Sequence, residues 1–276
     1  MIESMVIAIA QAKSEPWESI WKNGQLPTWV NRFKNNYEIV NVSGLALSAM
    51  WKKFDTFHER QRYSARFGKW QGRLDYFFIP WLKRNIPSSK EVPASIIREI
   101  LIKTNSSYIF AGRRLLGTIK WFLEENESQY LLLTTTSSLI NVKNLERRLR
   151  ELDTKSPVYA GHLLGDGDSR FVTGAGQLIN RQTAKIVLEH AREYPHRMLN
   201  DVALGQLLRN HNVKAIEIPW VWVKSVDEVS RLDLETLGSA FHFRVKTSTN
   251  PRTDDLVMRA LHTRLLECNA KGILEY

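Results

Sequence analysis

Phe241 to Lys246 alternates with period two, which sets His242, Arg244 and Lys246 on one face of a strand. A row of cationic side chains suits an anionic ligand. The same spacing also describes a packed histidine followed by an exposed strand face. Gly174-Ala175-Gly176 carries almost no side chain, so it either lets backbone approach a ligand closely or makes an ordinary tight turn. Thr134 to Ser138 is an unbroken hydroxyl run after the apolar segment Tyr130 to Leu133. Such hydroxyls can hold a ribose or a sugar, or cap a helix that follows. Between His58 and Arg73, the cations Arg60, Arg62, Arg66, Lys69 and Arg73 alternate with Tyr63, Phe67 and Trp70. Cations for phosphates beside rings for stacking fit a nucleic-acid groove. Val142 to Leu152 adds Lys143, Arg147, Arg148 and Arg150. Both basic segments also read as amphipathic helices with a solvated face.

These residues need a scaffold, and the pattern of apolar runs supplies one. Met5 to Ala10, Tyr37 to Ser43, Ile96 to Lys103, Tyr130 to Leu133, Val158 to Leu164, Lys214 to Ile218 and Phe241 to Lys246 read as strands. Ala111 to Glu125 reads as a helix with Leu115, Leu116, Ile119 and Phe122 along one face. Further helices are expected over 51–82, Val142 to Leu152, Arg181 to Glu193, Asp201 to Asn210 and Asp254 to Glu267. Asp254 and Asp255 suit the positive end of the last one. The segment holding Trp17, Trp21 and Trp29 is loop or helix. Strands alternating with helices imply an α/β sandwich with a largely parallel sheet, whose ligands bind beyond the carboxyl ends of the strands. Thr134 to Ser138 lies at such an end.

The composition bounds the class. The chain has 276 residues, 43% hydrophobic and 25% charged, enough to bury a sizeable core. A single cysteine, Cys268, excludes a disulfide scaffold, and no Cys/His cluster has the spacing of a structural zinc. The opening MIESMVIAIAQAK lacks a basic leader, and no apolar run approaches the roughly 20 residues of a membrane span. A cytoplasmic protein with no transmembrane segment is expected. The net charge of +10 serves solubility, or a polyanionic partner such as nucleic acid, an anionic membrane surface or a phosphorylated glycan.

Three ordered segments carry a family resemblance. Tyr130-Leu-Leu-Leu-Thr-Thr-Thr-Ser-Ser-Leu-Ile-Asn-Val-Lys-Asn-Leu145 resembles the strand, acidic metal motif and "V-N-V-x-N-L" helix start of the fringe and β-1,3-galactosyltransferase group of GT-A glycosyltransferases. Phe171-Val-Thr-Gly-Ala-Gly-Gln-Leu-Ile-Asn-Arg181 is similar to that group's "F-A-T-G-G-A-G-x-x-I-S-R" loop, and Asn200-Asp-Val-Ala-Leu-Gly205 to its "D-D-V-x-x-G". Arg114 to Trp121 resembles the helix before the metal motif, and Phe241 to Arg244 the late strand with a metal-site histidine. The resemblance spans residues 108–246. It implies a GT-A fold, a Rossmann-like α/β/α sandwich. The whole chain is then one domain: a nucleotide-sugar-binding half over 1–140, an acceptor and catalytic half over 141–252, and a C-terminal helix over 253–276.

The resemblance also implies a hexosyl- or pentosyltransferase that moves a sugar from a nucleotide-sugar, such as a UDP-sugar, to an acceptor hydroxyl with inversion. Asp201 would be the base that takes the hydroxyl's proton; Asp also suits a helix start. Ala10, Gln11 and Lys13, at the first strand end, would hold the nucleotide base. Gly174, Ala175 and Gly176 would line the donor pocket. The family's metal-binding aspartates fall on Thr135, Thr136 and Ser137, whose neutral hydroxyls suit Mn or Mg poorly. Three explanations stay open. In the first, Arg114, Arg244 and Lys246 neutralise the diphosphate without a metal. In the second, His242 and the phosphates hold a metal. In the third, the chain is a non-catalytic carbohydrate- or nucleic-acid-binding relative. For an active enzyme, the acceptor is a hydroxymethylated base of phage double-stranded DNA, flipped from the stack, or a bacterial surface polysaccharide.

Overall fold

In the first strand, Val6 and Ala8 are buried on one side while Ile7 and Ile9 are buried on the other. A strand apolar on both faces belongs inside a sheet that is covered twice. The computed structural model describes residues 4–45, 85–92, 96–105, 110–153, 155–196 and 198–276. Arg60, Arg62, Arg66, Lys69 and Arg73, together with the helix expected over 51–82, lie outside the described residues.

The central sheet takes β1 (Met5–Ala10), β2 (Glu38–Leu45), β3 (Ser89–Val92), β4 (Arg98–Asn105) and β5 (Tyr130–Thr135). After β6 (Ser138–Ile140), which lies outside it, come β7 (Tyr159–Gly161), the short β8 (Leu163–Leu164) and β9 (Phe171–Val172), and then β10 (Gly176–Asn180) and β11 (Ala215–Glu217). Among the described residues its eight strands run β11-β7-β10-β5-β1-β2-β4-β3. Only β10 and β3 run against the rest, so the sheet is mostly parallel. The chain lays β2 and β4 on one side of β1, then returns to lay β5 on the other, parallel to β1. That reversal is a topological switch point, where a crevice opens beyond the carboxyl ends of the two strands. A side sheet of β12 (Val221–Val223), β13 (His242–Val245) and β6 adjoins the crevice, because β6 follows β5 across Thr136 and Ser137.

Helices cover both faces. The helical pieces α1 (Trp17–Ile20) and α2 (Asn31–Phe33) flank the wide-turned segment Trp21–Val30, which is kinked at Thr28 just after Pro27. Then come α3 (Ala111–Glu125), α4 (Val142–Arg150), α5 (Arg181–Glu189), α6 (Asn200–Asn210), α7 (Val226–Arg231), α8 (Leu234–Ser239) and α9 (Asp254–Ala270). Leu115, Leu116, Ile119 and Phe122 of α3 are buried against Val40, Val42, Ile100 and Leu131, with α5 and α6 beside them. On the other face α4, α9 and the tryptophan-rich segment bury Leu145, Leu261 and Trp29 against Ile7, Ile9 and Leu132. Full burial of each such side chain contributes about 1.5–3 kcal/mol. Asn141 caps α4 by accepting from the amides of Lys143 and Asn144, and Asn180 caps α5 through Thr183. Among the described residues no helix is long and apolar enough to cross a membrane.

Two expected elements are divided. Val158 to Leu164 is not one strand: it breaks at His162, so that β7 joins the central sheet and β8 pairs with β9. The cause is Gly161, whose φ of +149° turns the chain where a Cβ would lie 2.3 Å from the carbonyl oxygen of Gly176. Arg181 to Glu193 is α5 followed by a separate 3-10 turn, Ala191–Glu193, with His190 at the joint.

Candidate functional site

The hydroxyl run bends between the two sheets and is held from several sides. Gln25 donates Nε2 to the carbonyls of Thr135 and Ser138, at 2.8 and 2.7 Å, and Trp29 donates Nε1 to Ser138 at 3.0 Å. Neither contact was legible in the sequence, since more than a hundred residues separate the partners. Four of the five hydroxyls are themselves committed. Thr134 and Ser138 donate to the carbonyl of Ala175, at 2.9 and 3.2 Å. Thr135 accepts from Arg244 Nη1 at 2.8 Å. Ser137 donates to Asp254 Oδ2 at 3.1 Å and accepts from Arg252 Nη2 at 3.2 Å. Thr136 is buried in the turn.

The β6–β13 register pairs His242 with Ile140 and Arg244 with Ser138, which brings the late strand to the hydroxyl run. His242 is only 2% exposed, with Nε2 3.0 Å from Ser138 Oγ. Because that hydroxyl gives its hydrogen to Ala175, the ring donates from Nε2. Nδ1 faces Gly176, where an added Cβ would come within 2.5 Å. Burial first, and then the charge of Arg244, lowers His242 to about 3, so the ring is neutral at ordinary pH. Arg244 is itself lowered to about 10, by burial and then by the nearby Arg252. Arg252 stacks over Trp17, 4.7 Å from the ring centre, and pairs with the fully buried Asp254. Two guanidinium groups therefore meet beside Thr135 and Ser137. Lys246 is exposed at the end of the same strand.

Asp201 lies in the first turn of α6, but Leu199 is the N-cap residue. Its carboxylate instead reaches across the crevice rim: Oδ2 accepts from the amide of Gly174 at 3.0 Å and Oδ1 from Val202 at 2.9 Å. Asp201 is half-buried, and a carboxylate has lone pairs left after two such bonds. Burial, joined by the charge of Asp201, raises the phenols of Tyr159 and Tyr194. Beside Asp201 a cavity of about 90 Å³ is lined by Ala10, Arg114, Thr134, Gly174, Gln177 and Asn200. The first turns of α3 and α6 both supply lining residues, so two positive helix ends approach one space. The backbone N–H of Gln11 donates to the carbonyl of Val42 at 2.9 Å, and Lys13 pairs with Glu99 at 2.5 Å on the β2–β4 side.

The fold thus gathers Ala10, Arg114, Thr134 and Gly174 around one cavity, and Thr135, Ser137, Arg244 and Arg252 around one turn. The sequence reading missed Arg252 and Asp254 as a pair. The available signal was an arginine two residues before an aspartate at a helix start. It also missed an aromatic wall: Trp220 stacks on His162 at 4.6 Å and meets His242 edge-on at 5.4 Å. Trp222, 43% exposed, lies in register with Arg244.

A hard divalent cation fits this turn poorly. The oxygens at hand are neutral hydroxyls, those of Thr135 and Ser137 already engaged, and the carboxylate beside them, Asp254, is bound to Arg252. No protein-family model matches the chain, and no curated protein matches it.

Proposed function

We propose that the chain is a GT-A-type glycosyltransferase that moves a sugar from a nucleotide-sugar, such as a UDP-sugar, to an acceptor hydroxyl. The observation that carries this reading is the half-buried carboxylate of Asp201, hydrogen-bonded to Gly174 at the rim of a switch-point crevice. In this reading Asp201 takes the proton of the acceptor hydroxyl as its oxygen bonds to the anomeric carbon. The bond from that carbon to the diphosphate breaks on the opposite face, which inverts the centre. The negative charge leaves on the nucleoside diphosphate. Arg244 and Arg252, with Arg114 and the two helix ends, meet that charge where the resemblance would have a metal. Gly174 to Gly176 leaves room for the sugar against backbone.

The acceptor we favour is a hydroxymethylated base in double-stranded DNA. Trp222 beside Arg244 offers a ring for stacking next to a cation. The experiment screens nucleotide-sugars with and without EDTA against hydroxymethylated DNA, plain DNA and glycan acceptors, and measures nucleoside diphosphate release. Release that needs hydroxymethylated DNA and survives EDTA supports the whole reading. Release with glycans alone replaces the acceptor. No release and no donor binding under any condition overturns the enzyme.

A further inference from the structure

Seven histidines are scattered through the sequence, and the fold brings two of them together on a surface far from the crevice. His190 ends α5 and His211 ends α6, each at the C-cap position. Their rings stack, with centres 3.5 Å apart and planes 22° from parallel. Glu193, from the 3-10 turn after α5, spans both: Oε1 lies 3.0 Å from His190 Nδ1 and Oε2 lies 2.9 Å from His211 Nε2. The three candidate donor atoms fall within 4.8 Å of one another. Among the described residues this is the one group of three or more His, Cys, Asp or Glu that can converge on an ion.

We propose that His190, Glu193 and His211 form a site for one divalent transition-metal cation of the zinc class. Two imidazoles and a carboxylate are a recurrent zinc donor set, with water in the fourth position. Ligand atoms around a tetrahedral zinc lie roughly 3.3 Å apart, given bonds near 2.0–2.1 Å. To close to that size, the two stacked rings must fan apart so that both lone pairs point at one ion. Both imidazoles carry a hydrogen toward the carboxylate when no cation is present. A shift of each hydrogen to the other ring nitrogen turns two lone pairs inward with no change in proton count.

The surroundings favour a cation. The carbonyl ends of two helices carry partial negative charge, and α5 and α6 both end here. The half-buried histidines stay reachable, with side chains 35% and 22% exposed. The site is also separate from the crevice. The 11 residues of α6 put roughly 16 Å between the end that carries Asp201 and the end that meets His211. A bound cation would tie the far ends of α5 and α6 together and stabilise the helix that presents Asp201.

The test uses the full chain, stripped with chelator and then dialysed against zinc. The expected result is one zinc per chain, a higher melting temperature, and a tetrahedral visible spectrum when cobalt replaces zinc. Outer partners of metal ligands cost about 10–100-fold in affinity when removed. Loss of a direct ligand in His211→Ala should therefore weaken binding by at least about tenfold. Glu193→Gln keeps the side-chain shape on an exposed turn and should weaken zinc without unfolding the chain. Wild-type protein that retains no zinc overturns the site. So does zinc binding that stays unchanged in both variants, because the ion would then sit elsewhere.

Discussion

Asp201 lies at one end of α6 and keeps its carboxylate on the amide of Gly174, so its position is set by backbone on both sides. An Asn in its place preserves the shape and one acceptor oxygen but loses the charge and the basicity. Asp201→Asn should lower turnover by about 10²–10⁴-fold, the usual contribution of a positioned base, while donor affinity stays within a few-fold. Steady-state rates and donor titration separate the two effects, and an unchanged rate removes Asp201 from the mechanism. Arg244 should show the opposite split. Arg244→Gln removes a charged hydrogen-bond donor worth about 1.5–3 kcal/mol, so donor or nucleoside diphosphate affinity should fall about 10–100-fold. His242 makes a prediction about stability. Unfolded, its ring takes a proton near the usual value of about 6.5; folded, it does so only near 3. Between those values the unfolded chain binds the additional proton, so acid favours unfolding with a slope of about 1.4 kcal/mol per pH unit. Above that window the effect is flat. His262, lowered to about 4 by burial and then by Arg32, acts with the same sign. Urea unfolding at pH 7 and pH 5 should therefore show wild type losing about 2 kcal/mol more than His242→Gln. Equal losses would mean that the buried ring is charged.

At the scale of elements, α9 is tied to the hydroxyl turn by its first residue. Asp254 accepts from Ser137, from the amide and hydroxyl of Thr247, and from Arg252. Asp254→Ala strands Arg252, whose side chain is only 17% exposed, and should cost about 3–5 kcal/mol in urea unfolding. A double variant, Arg252→Met with Asp254→Leu, should recover part of that loss, since an apolar pair leaves no buried charge unpaired. If the single variant costs nothing, the network does not hold the turn. This network also marks where sequence reading stops. Helix α3 matches Ala111 to Glu125 because its apolar spacing repeats over four turns and nothing interrupts it. The strands of the crevice were legible for a similar reason, as short apolar runs such as Met5 to Ala10. Val158 to Leu164 misled because an apolar run does not reveal that Gly161 has a positive φ under a neighbouring carbonyl. Asp254 read as a helix-end acid, which it is. Its buried partners Ser137 and Thr247 come from a turn and a loop that no local pattern links to α9.

The molecule as a whole separates two kinds of charge handling. At the crevice, arginines and helix ends stand where the resemblance would place a metal. At the far end of α6, two histidines and a glutamate offer the donors that a transition metal prefers. His190, Glu193 and His211 were invisible as a group in the sequence, because α6 has to fold back before His211 meets its partners. The two readings make a joint prediction for chelation. With zinc at about 100 times its dissociation constant, binding adds about 2.7 kcal/mol of stability. For a chain of this size that corresponds to a melting temperature higher by roughly 5 °C. EDTA should remove that increment from wild type and at most about half of it from His211→Ala, because a site tenfold weaker is filled at only about ten times its dissociation constant and adds about 1.4 kcal/mol. Nucleotide-sugar binding should persist in EDTA for both proteins if, as proposed, arginines take the place of a metal at the diphosphate. The outcomes fail separately. If EDTA leaves the melting temperature of zinc-loaded wild type unchanged, the α5–α6 clip is wrong and the crevice reading stands. If EDTA abolishes donor binding in His211→Ala as well, a metal acts at the crevice and the role given to Arg244 and Arg252 falls.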